Sequence, residues 1–304
     1  MSFSNEVRKE ICSDITDKDR RFACLYGMLL FCRHLGQERI SFQSKSRVSA
    51  DEFAELFRRV FGRDLDCRLS ESTSGKTLYI YDITEPELIS EVFAKYRFSD
   101  GTRAFDDELV STSSLGVFTA GVFLSCGSVN DPEKEYHLEF SVPYEPLAEV
   151  LVTLLGDIGV NARTTHRRGQ NVVYIKGSES IEDTLTFIGA QQCTLELMNV
   201  KIYKDVRNKA NRIANCDTAN IDKVVAAAMK QQEDIRLIAS TVGLDSLSEE
   251  LREVAELRHD NSGMSLSEIG ASLSEPISRS GVNHRFKKLA RLADEIRNGG
   301  SFEK

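Results

Sequence analysis

The densest set of side chains able to do chemistry lies near the C-terminus. Arg279, Asn283, His284, Arg285, Lys287, Lys288 and Arg291 fall within 13 residues, and no acid interrupts them. Guanidinium and ammonium groups bind phosphate oxygens, and Arg, Lys, Asn and His can also bond to base edges, so the chemistry open to this set is recognition of double-stranded DNA. A second basic run, K201-I-Y-K-D-V-R-N-K-A-N-R212, places Lys201, Lys204, Asn208, Asn211 and Arg212 on one helical face, opposite Ile202, Val206, Ala210 and Ile213. That surface suits phosphate contact. For either run a solvated basic face is the alternative, since charged stripes are a common way for a helix to meet water. A third patch, Arg163 to Arg168, sits at an expected hairpin and reads as exposed surface.

Other chemistries find no matching pattern. Neither GxxxxGK[ST], GxGxxG nor GxSxG occurs, and the five histidines (His34, His137, His166, His259, His284) lack metal-ligand spacing. Seven cysteines are scattered and never form CxxC, which favours reduced, buried thiols over a disulfide framework or a zinc site. No cofactor and no metal is expected.

The basic side chains need elements to hold them. With 3.6 residues per turn, a helix over 281–297 puts Val282, Phe286, Leu289, Ala293 and Ile296 on one stripe and His284, Lys287, Lys288 and Arg291 on the other side. Ahead of it, Ser265 and Glu268 fit a capping box for a short helix to Leu273, and 274–280 form a connection. A short capped helix, a turn and an amphipathic helix with a basic outer face is the layout of a helix-turn-helix, whose second helix enters the major groove. Upstream, Asn215–Asn220 reads as a turn and helix start before a long helix over 221–241. Ser246 and Glu249 fit a second capping box ahead of 251–257.

The first two thirds of the chain carry a duplication. G27-M-L-L-F-C32 aligns with G121-V-F-L-S-C126, 94 positions on. The strand-like 39–42 answers 137–140, and the helix-like 53–62 answers 147–156. Expected hairpins at 64–82 and 160–176 follow, with turns at Ser74-Gly75 and Arg168-Gly169, and each copy closes on an amphipathic helix, 85–96 and 179–190. A mixed unit repeated in this order predicts a pseudo-twofold domain. Gly27, Gly121, Ala23, Ala120 and Ser125 are small enough to let two helix backbones approach at its axis.

Composition agrees with ordered cores. Of 304 residues 41% are hydrophobic and 28% charged, with only 5 prolines, and the length favours two or more domains. The opening MSFSNEVRKEICSDITDKDRR holds no apolar stretch long enough for a signal peptide or a membrane span, so a cytoplasmic protein is expected. The net charge of −8 does not argue against DNA, because local charge governs such contacts.

The opening MSFSNEVRKEI, the run AGVFLSCGSVNDPEKEYHLEF at 120–140, NCDTANIDK at 215–223 and SGVNHRFKKL at 280–289 together resemble the WhiA family of bacterial regulators, over essentially the whole chain. The resemblance implies an α+β chain. Its first part is a duplicated domain similar to LAGLIDADG homing endonucleases over 1–200, with repeats near 20–96 and 114–190. A basic linker helix and turn over 201–220 would follow, then an all-helical domain over 221–304 with its helix-turn-helix near 265–298. It further implies roles in sporulation, cell division and chromosome segregation, promoter DNA as the partner, and a nucleoid-associated place in the cytoplasm. In the endonucleases each motif helix ends in a carboxylate that helps to hold the catalytic divalent ion. Matching 25–33 and 119–127 to that motif puts Cys32 and Cys126 at the carboxylate positions, and neutral thiols are poor ligands for a hard cation. The resemblance therefore implies a fold without nuclease activity. Two alternatives stand beside it: a residual metal-dependent nuclease, and a regulator whose helical tail meets RNA polymerase or another factor with DNA contact auxiliary.

Overall fold

The computed structural model describes residues 2–71, 75–99, 101–167 and 169–298; Ser74 and Arg168, expected at turn tips, lie outside them. Two compact units are formed, Met1–Asp205 and Val206–Lys304.

In the first unit a leading helix α1 (Phe3–Asp14) precedes two copies of one motif. The first copy is α2 (Lys18–Leu30), β1 (His34–Leu35), β2 (Ile40–Ser44), α3 (Arg47–Phe61), β3 (Cys67–Glu71), β4 (Thr77–Ile83) and α4 (Pro86–Lys95). The second is α5 (Leu115–Cys126), β5 (Gly127–Val129), β6 (Leu138–Val142), α6 (Glu145–Asp157), β7 (Arg163–Arg167), β8 (Gln170–Ile175) and α7 (Ser178–Phe187). Each copy builds an antiparallel four-stranded sheet, ordered β1-β2-β4-β3 in one and β5-β6-β8-β7 in the other. The short β1 and β5 extend the motif beyond the expected elements, because two or three residues carry no readable period.

Local chemistry sets these elements. The Ser46 side chain caps α3 by accepting from the Ser49 amide, and Gly62 ends it with φ at +68°, a left-handed conformation that suits a residue without Cβ. Between those ends Ala50, Phe53, Leu56 and Phe57 face the core, with Phe53 stacked on Phe42 of β2. Helix α5 is apolar all round and is buried from Val117 to Leu124, as expected of a helix enclosed on every side.

Helices α2 and α5 meet at the pseudo-twofold. A Cβ on Gly27 would lie 2.2 Å from the Phe118 carbonyl oxygen, and one on Gly121 would lie 2.0 Å from that of Cys24. The two backbones therefore touch, and only glycine allows it. Ser125 Oγ donates to the Phe31 carbonyl at 3.0 Å, joining the helix ends.

The second unit is helical. Helix α8 (Gln191–Thr241) begins in the first unit and is followed by α9 (Glu249–Asp260), α10 (Leu266–Ser272) and α11 (Arg279–Arg297). Ile235, Ile238, Val254, Ile269, Val282, Phe286 and Leu289 form its core. Two expectations are corrected here. Residues 215–220 are helical within α8 rather than a turn, there being neither Gly nor Pro to break the ladder. The capping box at Ser246 does not form: its hydroxyl donates to the Gly243 carbonyl in a 3-10 turn, and the N-cap of α9 is Ser248. The box at Ser265 and Glu268 is present in both directions. Among the described residues no helix is long and apolar enough to cross a membrane.

Candidate nucleic-acid interface

Helix α11 is held by its apolar stripe, with Val282, Phe286, Leu289 and Ala293 buried. Ser278 caps it through the Gly281 amide. The connection from α10 is pinned at two points: the Ile277 amide donates to the Gly270 carbonyl at 3.0 Å, and the Ser274 amide donates to Glu253 Oε1 of α9 at 2.5 Å. A Cβ on Gly270 would come within 2.4 Å of the Ile277 oxygen, so the turn passes as close to α10 as a bare backbone permits. The second helix is thus fixed to the first by packing and by hydrogen bonds.

Away from the stripe, Asn283, His284, Lys287, Lys288 and Arg291 are exposed, and Arg279 is exposed in the first turn beside it. No ion pair occupies Arg279, Lys287, Lys288 or Arg291 among the described residues, so three cations and a histidine share the solvent-facing side of α11 opposite the stripe, and Arg279 stands unpaired in the first turn. Arg285 is different. Its side chain is only 15% exposed, with Nη1 donating to the Glu250 carbonyl at 3.4 Å and Nη2 lying 3.7 Å from Glu250 Oε2. It braces α11 against α9. The distinction follows from angle: position 285 flanks the apolar stripe, whereas 284, 287, 288 and 291 oppose it.

The run on α8 divides in the same way. Lys201 Nζ sits 3.3 Å from Glu182 Oε1, and Lys204 Nζ donates to the Pro132 carbonyl at 2.6 Å while lying 4.9 Å from the Tyr136 ring centre. Asn208, Asn211 and Arg212 are exposed. Ile202, Val206 and Ile213, expected as the apolar face, are exposed as well, at 55–63%. On β7, Arg163, His166 and Arg167 are exposed, with His166 Nδ1 3.1 Å from Asn171 Oδ1.

Cys32 lies two residues past the end of α2, and Cys126 is the last residue of α5. Cys32 is 1% exposed and Sγ donates to the His34 carbonyl at 3.0 Å, while Arg103 Nη1 donates to the Cys32 carbonyl at 2.7 Å. Burial pushes the Cys32 thiol up to about 11 and raises Cys126 further, so both are neutral. Asp131 Oδ1 accepts from the Glu133 amide in a turn of its own. No cluster of three or more His, Cys, Asp or Glu able to hold a metal occurs among the described residues.

Two supports of the C-terminal unit escape sequence reasoning. Asp234, 2% exposed, pairs with Arg297 at 2.5 Å and ties the end of α11 to α8. Arg258, also 2% exposed, lies 5.5 Å from the Phe286 ring centre. Both look like solvated helix charges in the sequence, and no local pattern marks them as buried.

Comparison with known proteins agrees with this architecture. Residues 115–207 match a family model described as the WhiA LAGLIDADG-like domain, and 210–293 match one described as the WhiA C-terminal HTH domain. A "Probable cell division protein WhiA" of Ruminiclostridium cellulolyticum is 37% identical, covering 98% of this chain and 98% of its own. A protein of the same name from Staphylococcus haemolyticus is 36% identical over 100% of both chains. Among solved structures, full-length DUF199/WhiA from Thermatoga maritima shares the fold, with a TM-score of 0.59 at 23% identity over 97% of this chain and 99% of that one. Matched by both family models from 115 to 293 and by these relatives over 98–100% of its length, the chain belongs to the WhiA family.

Proposed function

We propose that this chain is a cytoplasmic, nucleoid-associated regulator that binds promoter DNA in a sequence-specific way and does not hydrolyse it. The observation that carries the reading is the exposed side of α11, where the side chains of Asn283, His284, Lys287, Lys288 and Arg291 have no ion-pair or hydrogen-bond partner among the described residues while the opposite stripe is packed, with Arg279 exposed at the helix start. In helix-turn-helix proteins the N-terminal half of the second helix meets base edges. Asn283, His284, Lys287 and Lys288 stand there. Lys201 and Lys204 are engaged on the N-terminal unit, so of the face they share on α8, Asn208, Asn211 and Arg212 are the groups available to phosphates. The relatives' name points to cell division as the process, with sporulation and chromosome segregation as wider roles implied by the family. Neutral thiols at Cys32 and Cys126 support the absence of nuclease chemistry, since hard cations need oxygen ligands.

The test is fluorescence anisotropy on a promoter fragment recovered by chromatin immunoprecipitation and on a scrambled duplex, over a salt series. Replacing His284 and Lys288 together by Ala should weaken promoter binding at least about tenfold, since base contacts are worth about 1–3 kcal/mol each, while random DNA loses far less. An intact promoter preference in that variant refutes α11 as the reader. Incubation of supercoiled plasmid with Mg²⁺ or Mn²⁺ should leave it uncut, and metal-dependent nicking by the purified chain overturns the non-nuclease part.

A second reading has its own observation. Val206, Ile213 and Ile221 of α8 are 55–63% exposed, which favours a protein partner such as RNA polymerase or another regulator on that helix.

A further inference from the structure

Within the C-terminal unit, the Lys223–Gln232 stretch of α8 and the loop and first turn at Ser262–Ser267 enclose a cleft of about 710 Å³. Its walls are apolar, formed by Val225, Met229, Met264 and Leu266, and three cations reach it: Lys223, Arg258 and Arg279. Cavities of this size take drug-sized molecules, and apolar walls with a few convergent polar groups are the usual form of such sites.

Arg258 is the unusual member. It is 2% exposed, yet no carboxylate pairs with it among the described residues. Its Nε donates to Gln231 Oε1 at 3.1 Å, and its Nη1 donates to the carbonyls of Ser262 and Met264 at 3.1 and 2.6 Å. All three partners are neutral and all three line the cleft. Nη2 has no hydrogen-bond partner among the described residues. Burial lowers the pKa of this guanidinium, and no acid counters the effect. A buried cation held only by neutral acceptors is costly in the empty protein, and an anion beside it would remove that cost. Asp234, the other buried charge among the described residues of this unit, is by contrast paired with Arg297.

We propose that this cleft binds a small amphipathic anion, its carboxylate or phosphate head beside Arg258 and its apolar body against Val225, Met229, Met264 and Leu266, with Lys223 adding positive charge further along the same cleft. Nucleic acid fits the walls less well, because a phosphodiester backbone would leave the two methionines and Leu266 without apolar contact. The cleft shares Arg279 with the first turn of α11 and includes none of Asn283, His284, Lys287, Lys288 or Arg291.

Isothermal titration of the full chain tests this with four probes: dodecanoate, dodecyl phosphate, uncharged dodecanol and a short DNA duplex. One saturable site per chain is expected for dodecanoate, dodecyl phosphate or both, and the stronger of the two identifies the head group. Dodecanol should bind at least about tenfold more weakly, a loss of about 1.4 kcal/mol or more. Because Arg258 also holds the loop carbonyls, its removal could unfold the unit, so the deciding variants are Val225→Trp, which fills the cleft from an exposed position, and Lys223→Glu. Each should reduce amphiphile binding at least about tenfold while leaving the thermal transition of the unit in place. The proposal is overturned if neither amphiphile binds saturably, if dodecanol binds as well as the anions, or if both variants bind like the wild type. It is equally overturned if the variants weaken only the duplex, which would make the cleft part of the DNA surface.

Discussion

Replacing Gly121 by Ala puts one methyl group where the α2 and α5 backbones touch. The new Cβ would sit 2.0 Å from the Cys24 carbonyl oxygen, an atom that cannot swing aside as a side chain could. Restoring an ordinary contact parts the helices by about 1 Å, and a gap of about 0.5–1 Å forfeits about a quarter to a half of the dispersion energy between the atoms it separates. Overpacking of this kind costs about 1–3 kcal/mol, and a backbone clash belongs at the upper end. The better helix propensity of alanine offsets about 1 kcal/mol. The net loss is about 2 kcal/mol, which for a unit of this size lowers Tm by about 4–8 °C. The assay is built into the composition. There is no tryptophan, and all eight tyrosines, from Tyr26 to Tyr203, fall in the first unit, so intrinsic fluorescence follows that unit alone. Gly156→Ala in α6 is the control, since its Cβ meets nothing within 4 Å, and it should hold or slightly raise Tm. A Gly121→Ala protein that melts within about 1 °C of the wild type would refute the touching-backbone account, because the loss worked above predicts several times that shift.

Further outcomes follow from the same chemistry. Of the seven cysteines, Cys67 and Cys216 are exposed and should titrate promptly with Ellman's reagent, whereas Cys24, Cys32 and Cys193 should wait for urea; prompt reaction of any of these three contradicts the packing. Cys32 is a neutral thiol whose pKa is raised by burial to about 11. Its contribution to stability is full below the unfolded value near about 8.5 and is lost as pH rises through the folded one. The urea midpoint followed by circular dichroism should therefore fall more steeply between pH 9 and 11 in the wild type than in Cys32→Ser, and parallel profiles would remove the burial argument. Ser265→Ala should cost the C-terminal unit about 1 kcal/mol by calorimetry, and Ser248→Ala clearly less, because the Ser248 hydroxyl makes no cap bond. Equal losses would show that the capping box contributes nothing.

The duplication was legible because each copy repeats whole elements in order. Helix positions hold an offset of 94, from Gly27 to Gly121 and from Phe53 to Leu147, and small residues on two apolar helices point to a close crossing. The stripe of α11 and the Ser265 box were legible because period and capping are local. What escaped is non-local. Whether a cation is free depends on which acid or carbonyl the fold brings to it, so Arg285, Lys201 and Lys204 look like Lys287 in the sequence and differ from it in space. Arg258 shows the limit most sharply. It lies in the last turn of a helix, where a cation favours the helix dipole and normally points to water, and only the return of Gln231, Ser262 and Met264 encloses it.

Contact between bare backbones at Gly27 and Gly121 also has a mechanical consequence. Side chains can change rotamer and let packed elements slide, but two peptide planes in van der Waals contact have no such slack. The crossing of α2 and α5 therefore behaves as a rivet, with the Ser125 to Phe31 hydrogen bond as its washer. Helix α5 packs against β2 of one sheet and against β5 and β6 of the other, so the N-terminal unit is a stiff gauge that presents its two sheets at one set spacing. Whatever docks on both sheets must match that spacing, because the unit will not close around it.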